Sequence, residues 1–214
     1  MLSAQEIVEL QDRCVCEWHI AQQDSHELAF DAAELHASGA RHWLAAVRQQ
    51  HRANFELWHT EDEARTPGAT DAEIAGVKRR IDRTNQRRND LTEELDRILL
   101  EWLGERALPC PSSPLSSESP GLIVDRLSIL ALKIYHTREE SERTGAPGGH
   151  AARNRERLAI LEEQRNDLAG CLDALWLETL AGARRFKLYR QLKMYNDPAL
   201  NPAIYGKAAA GNDR

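Results

Sequence analysis

Displaced against itself by 77 residues, the chain aligns His59-Thr60 with His136-Thr137, Glu63 with Glu140, and Arg88-Asn89-Asp90-Leu91 with Arg165-Asn166-Asp167-Leu168. The same displacement pairs Leu95, Asp96, Leu100, Glu101 and Leu103 with Leu172, Asp173, Leu177, Glu178 and Leu180, so one offset carries twelve identities without a gap. Helical composition alone would repeat Ala, Leu and Glu; it would not repeat His-Thr or Arg-Asn-Asp. The repeat predicts one supersecondary unit made twice, each copy needing the other to bury its apolar face.

The unit reads as a helical hairpin. From about residue 40 to residue 65, Leu44, Val47, His51, Phe55, Trp58, His59 and Asp62 follow a helical stripe. After the turn Thr66-Pro67-Gly68-Ala69, Thr70 and Glu73 form a capping-box pattern, opening a long helix with Val77, Ile81, Thr84, Arg88, Leu91, Leu95, Ile98 and Trp102 on one seam. The segment 105–119 holds Pro109, Pro111 and Pro114 and five serines, the composition of a linker or surface strap. Ser119-Pro120 then supplies an N-cap and a first-turn proline. The second copy runs to about residue 182, with a Gly-Gly turn at 148–149 and a seam of Leu158, Leu161, Arg165, Leu168, Leu172 and Leu175. Ser3 and Glu6 cap a first helix extending to about His36, with the break at Gly39, and a short basic-aromatic helix is expected over Arg184–Tyr195 before Asn196-Asp197-Pro198. The expectation is an all-α bundle of about six helices and a single domain, 1–214: copy 1 at about 40–104, copy 2 at about 120–182, C-terminal helix and tail at 184–214.

Composition narrows the function. With 28 Lys plus Arg against 34 Asp plus Glu, the net charge is −6, which argues against a chain built to neutralise nucleic-acid phosphates. The basic run Lys78–Arg88 is interleaved with Asp82 and followed by Glu93, Glu94 and Asp96, as a solvated helix face would be. The most apolar stretch, Leu122–Tyr135, contains Asp125, Arg126 and Lys133, and so is far short of a membrane span. No basic-then-apolar leader opens the sequence; a soluble, cytoplasmic protein is expected. Cys14, Cys16, Cys110 and Cys171 form no CxxC pair, and on a helix Cys14 and Cys16 point about 200° apart, so His19 nearby does not make a thiol metal site of them.

Arg88 and Arg165 occupy seam positions where leucine is expected, so each needs a carboxylate or an anionic ligand beside it. His59 and Glu63 are four apart, about 40° round a helix, and share a face; His136 and Glu140 repeat the arrangement, with Asp62 and Glu139 one residue earlier. If the hairpins face one another, these groups converge. Two functional readings follow. In the first, His59, Asp62, Glu63, His136, Glu139 and Glu140 hold a divalent metal, with His59, His136, Arg88 and Arg165 acting on a small anionic or phosphate-bearing ligand; the protein is then a metal-dependent enzyme, hydrolase or oxidase. In the second, the cluster fixes helix register in a non-catalytic scaffold that docks a protein partner. Association into a homo-oligomer is left open. A di-iron carboxylate site is only half matched, since Glu56-Leu57-Trp58-His59 has Lys133-Ile134-Tyr135-His136 as its counterpart.

Blocks of the sequence resemble a known family. Asn54-Phe55-Glu56-Leu57-Trp58-His59-Thr60-Glu61-Asp62-Glu63-Ala64-Arg65, Val77-Lys78-Arg79-Arg80-Ile81-Asp82 and Asn85-Gln86-Arg87-Arg88-Asn89-Asp90 are similar to the bacterial helical family filed as domain of unknown function 4254. So are Pro120–Leu130, Lys133–His136, Lys193–Pro198 and Leu200-Asn201-Pro202; the resemblance covers roughly residues 50–205. It implies a bacterial, soluble, helical protein and brings no activity with it.

Overall fold

A computed structural model describes residues 3–23, 40–192 and 199–202. These residues form five helices: α1 (Ala4–Gln23), α2 (Ala40–Glu63), α3 (Asp71–Gly104), α4 (Pro120–Glu142) and α5 (His150–Leu180). Local chemistry sets most of the ends. At α1, Glu6 reaches back to the Ser3 amide at 2.7 Å while Ser3 Oγ accepts from the Glu6 amide at 3.3 Å, closing one capping box. Thr70 and Glu73 close another at α3, and Ser119 caps α4 with Pro120 in its first turn. At the end of α5, Gly182 adopts φ 71°, a left-handed conformation that costs little without a Cβ, and its amide bonds to Thr179 O at 3.0 Å.

Short turns fold α2 onto α3 and α4 onto α5, and α1 lies against α4, α2 and α5. The helices α1, α2 and α4 pass in the same order through the same layers. First comes an apolar layer with Ile7 and Val8 from α1, Val47 from α2 and Val124 and Leu127 from α4, extended by Leu95, Leu99 and Leu103 of α3 and Leu168, Leu172 and Leu175 of α5. Next come buried polar groups, Gln11, Gln50, His51, Asn54, Asp125 and Ser128. A second apolar layer follows, with Val15, Trp18, Phe55, Ala131 and Leu132.

Two departures from the expected order have physical causes. Five helices, not about six, are found among the described residues, because Arg184–Leu192 is not helical. Its Phe186 is pulled into the core, 2% exposed, and its backbone is tied to the proline-rich strap: Ser116 N donates to Arg185 O at 2.8 Å and Arg185 N to Pro114 O at 3.0 Å. Helix α1 is described only to Gln23, so its expected run to His36, the break at Gly39 and the segment 193–198 lie outside the described residues. No described helix is long and apolar enough to cross a membrane.

The repeated Arg and Asp residues of α3 and α5 act as clasps on the starts of two other helices. Arg88 of α3 grips Asp125 of α4 through Nε at 2.7 Å and Nη2 at 2.5 Å, while Asp96, two turns on, accepts from the Gly121 amide at 2.7 Å and from Ser119 Oγ. Arg165 of α5 grips both oxygens of Asp12 in α1 at 2.8 Å, and Asp173 accepts from the Ala4 amide at 2.8 Å. Close approach at the α3–α4 clasp requires glycine: a Cβ on Gly121 would sit 2.5 Å from Thr92 O and 2.9 Å from Asp96 Oδ1. Gly121→Ala is therefore expected to destabilise the fold by about 1–3 kcal/mol through overpacking against backbone, read from urea denaturation. A change within about 0.5 kcal/mol would mean that α4 shifts freely.

Candidate metal centre

The second apolar layer ends in a group of imidazoles. His19 stands near the end of α1, His59 near the end of α2 and His136 in the second half of α4. One ring nitrogen from each lies within 4.8 Å of the others. His59 and His136 meet edge to face with centroids 5.7 Å apart; His19 lies 5.1 Å from His59 and 5.0 Å from His136. Phe55, fully buried, touches His19 and His59 at 4.9 and 4.5 Å and forms the apolar floor.

Two of the three rings are held from their other side. His19 Nδ1 lies 2.8 Å from Val15 O, which can only accept, so Nδ1 carries the proton and Nε2 is left with its lone pair. His136 Nδ1 donates to Glu139 Oε2 at 2.9 Å, with the same result. Two aromatic plates fix the planes: Tyr135 stacks on His19 at 4.3 Å, and Trp58 stacks on His136 at 4.9 Å. The outcome is three Nε2 atoms, of His19, His59 and His136, all buried and none with a hydrogen-bond partner. Buried polar atoms without partners are rare, and three at one place call for a shared partner. Burial pushes the His19 and His59 pKa values below the usual imidazole range; for His59, neighbouring His19 and His136 push the same way. Neutral rings with free lone pairs are metal donors rather than cations.

Of the residues singled out in the sequence, the structure brings together His59 and His136 and sets Glu139 behind His136. The other acids are elsewhere. Glu63 pairs with Arg80, Glu140 with His150 at 2.7 Å and Arg143 at 3.2 Å, and Asp62 is exposed beside His59. Arg88 and Arg165 are engaged in the clasps, on Asp125 and Asp12 and not on Glu63 or Glu140. His19 is the member that the sequence reading passed over. It lies outside the repeat, and its only signal is its place next to Trp18 and four residues after Val15 on the buried stripe of α1.

Below the centre, His51 is fully buried and neutral. Its Nε2 donates to Gln11 O at 3.0 Å, and its Nδ1 accepts from Ser128 Oγ at 2.7 Å, which in turn accepts from Asn54 Nδ2 at 2.9 Å. Burial lowers its pKa to about 3. The unfolded chain, with a histidine near 6.5, takes up a proton there that the folded chain refuses, so this contribution is intact above pH 6.5 and lost as pH falls toward 3. His19 and His59 act in the same direction. Asp96 opposes them: burial raises its pKa to about 6 from 3.8, which favours the fold as pH falls through that interval. Three groups outweigh one. Stability in the presence of a chelator is expected to drop by at least about 0.5 kcal/mol between pH 7 and 5.5, in urea denaturation, and a rising profile would contradict the buried neutral state of His51.

Residues 44–188 match the model of a family described as "Protein of unknown function (DUF4254)". No curated protein and no solved structure matches the chain.

Proposed function

The chain belongs to the DUF4254 family, and we propose that its three-histidine centre holds a divalent transition metal and that this metal is the seat of its activity. The observation that carries the reading is three imidazoles from three helices, one nitrogen of each within 4.8 Å of the others and each with a buried, partnerless Nε2. An all-imidazole donor set suits zinc, copper, iron or nickel over magnesium or calcium. Tetrahedral zinc with bonds of about 2.1 Å holds its nitrogens about 3.4 Å apart, so small side-chain rotations close the present spread. Val15 O and Glu139 are the outer partners that orient the ligand rings and make their nitrogens more basic. Three protein ligands leave a fourth position open, as in catalytic zinc sites, where the metal brings the pKa of bound water to about 7. Metal-assisted hydrolysis is the reaction class that this set fits best. The same reading takes α2–α3 and α4–α5 as copies of one ancestral hairpin, with His19 added from outside.

The scaffold reading retains one observation in its favour, the use of both seam arginines as internal clasps. One measurement separates the two. Equilibrium dialysis of the purified chain against zinc, followed by elemental analysis, is expected to give one metal per chain. Its melting temperature should rise with free zinc as RT ln(1 + [Zn]/Kd) dictates, about 2.7 kcal/mol at a hundredfold excess over Kd. No uptake and no shift would leave the scaffold alone.

A further inference from the structure

Between α2 and α3 runs a groove of about 340 Å³, with His59 in its wall. His59 is thus shared between the groove and the three-histidine centre. Its wall also carries Glu56, Glu63, Arg80 and Arg83, and both acids are already engaged. Glu56 is taken by Arg52 at 3.3 Å and by Arg87, and Glu63 is taken by Arg80. Arg83 projects into the same groove, exposed, with no carboxylate partner among the described residues. Both wall acids are thus neutralised by cations other than Arg83, whose guanidinium is left uncompensated in a chain whose net charge is −6. Thr84 adds a hydroxyl to the wall.

We infer that this groove binds the phosphate group of a small phosphorylated molecule, with Arg83 as its principal anchor and the three-histidine centre beside it. A phosphate monoester carries between −1.5 and −2 at pH 7, and so is drawn to an uncompensated guanidinium more strongly than a singly charged carboxylate is. The guanidinium fork matches the tetrahedral oxygens through paired charge-assisted hydrogen bonds, with the Thr84 hydroxyl placed to donate another. A volume of about 340 Å³ is at the small end of ligand pockets and suits a phosphate with a modest organic portion rather than a dinucleotide. The role of this groove as the substrate side of the centre rests on the metal reading above; the phosphate site itself does not.

The test uses the full chain, inorganic phosphate as probe and cobalt(II) as metal. Phosphate is expected to raise the melting temperature of the chain saturably, and Arg83→Gln, a surface change, to weaken phosphate binding at least about tenfold. Arg79→Gln, equally exposed on the same helix but outside the groove, should leave it unchanged. In the cobalt-loaded chain, the phosphorus resonance of bound phosphate should broaden through proximity to the metal. If cobalt binds but phosphate stabilises the natural chain and Arg83→Gln equally, or not at all, the groove assignment is overturned and the metal centre stands. If no cobalt binds, the metal reading falls, and Arg83-dependent stabilisation by phosphate alone upholds or overturns the anion site. Bound phosphate that cobalt leaves sharp breaks the link between groove and centre.

Discussion

In zinc titrations of the purified chain, His19→Ala, His59→Ala and His136→Ala are each expected to weaken binding by more than about 100-fold, exceeding what loss of an outer-shell partner costs. Each substitution removes one of three donors and leaves a two-imidazole site that water must complete. Glu139→Gln should fall between, at about tenfold to a hundredfold, because it keeps His136 in place but withdraws the carboxylate that receives the Nδ1 proton. His150→Ala is the control: that imidazole bonds to Glu140 at 2.7 Å, outside the centre, and its loss should leave zinc affinity unaltered. His19→Ala is the most discriminating of the series. A site built only from the repeated residues His59, Asp62, Glu63, His136, Glu139 and Glu140 would survive it, and the three-imidazole site would not. Equal affinities for His19→Ala and His150→Ala would sink the centre described here. Affinity should also decline in acid as protons compete for the same nitrogens. Burial holds the His19 and His59 pKa values low, so these two nitrogens stay open to metal below the usual imidazole range.

How much of this was readable beforehand follows from what a repeat can encode. Positions 59 and 136 are legible because both carry histidine at the 77-residue offset, and the structure sets their rings 5.7 Å apart. Position 19 had no counterpart to be compared with, and a neighbouring Cys-x-Cys drew the metal question toward thiols, of which Cys14 is buried and Cys16 exposed. The spacing of His59 and Glu63 placed them correctly on adjacent lines of one helix. Spacing cannot say which neighbouring cation reaches the carboxylate first, and Arg80 claims Glu63. The seam arginines were recognised as needing acids, yet their partners, Asp125 and Asp12, lie on helices whose packing no local pattern specifies. The segment after Gly182 departs from its expected helix for a similar reason: its alternation of basic and aromatic residues suits a helix, but burial of Phe186 and pairing with the strap through Leu115 and Arg185 favour an extended path.

The two clasps repeat in sequence but differ in burial, and that difference sets their energies apart. Asp125 has only 10% of its side chain exposed, and besides Arg88 it accepts from Gln50 at 2.5 Å and from Asn54 at 3.0 Å. Asp125→Ala would strand the Arg88 guanidinium and two buried amide donors together, and is expected to cost about 3–5 kcal/mol, the range for breaking a buried ion pair by removing one partner. Asp12 has 44% of its side chain exposed, so water reaches its edge of the pair although Arg165 itself is only 14% exposed; Asp12→Ala should cost about 1–2 kcal/mol. For a chain of this size, the first loss corresponds to a fall in melting temperature of about 6–20 °C and the second to about 2–8 °C. The double substitution Arg88→Met with Asp125→Leu should recover part of the larger loss, since apolar groups of similar volume carry no desolvation penalty. Equal losses for Asp125→Ala and Asp12→Ala would show that the α3–α4 clasp is as solvated as its counterpart. The polar layer beneath the histidines would then not be the rigid platform that holds α2 and α4 in register for the centre above it.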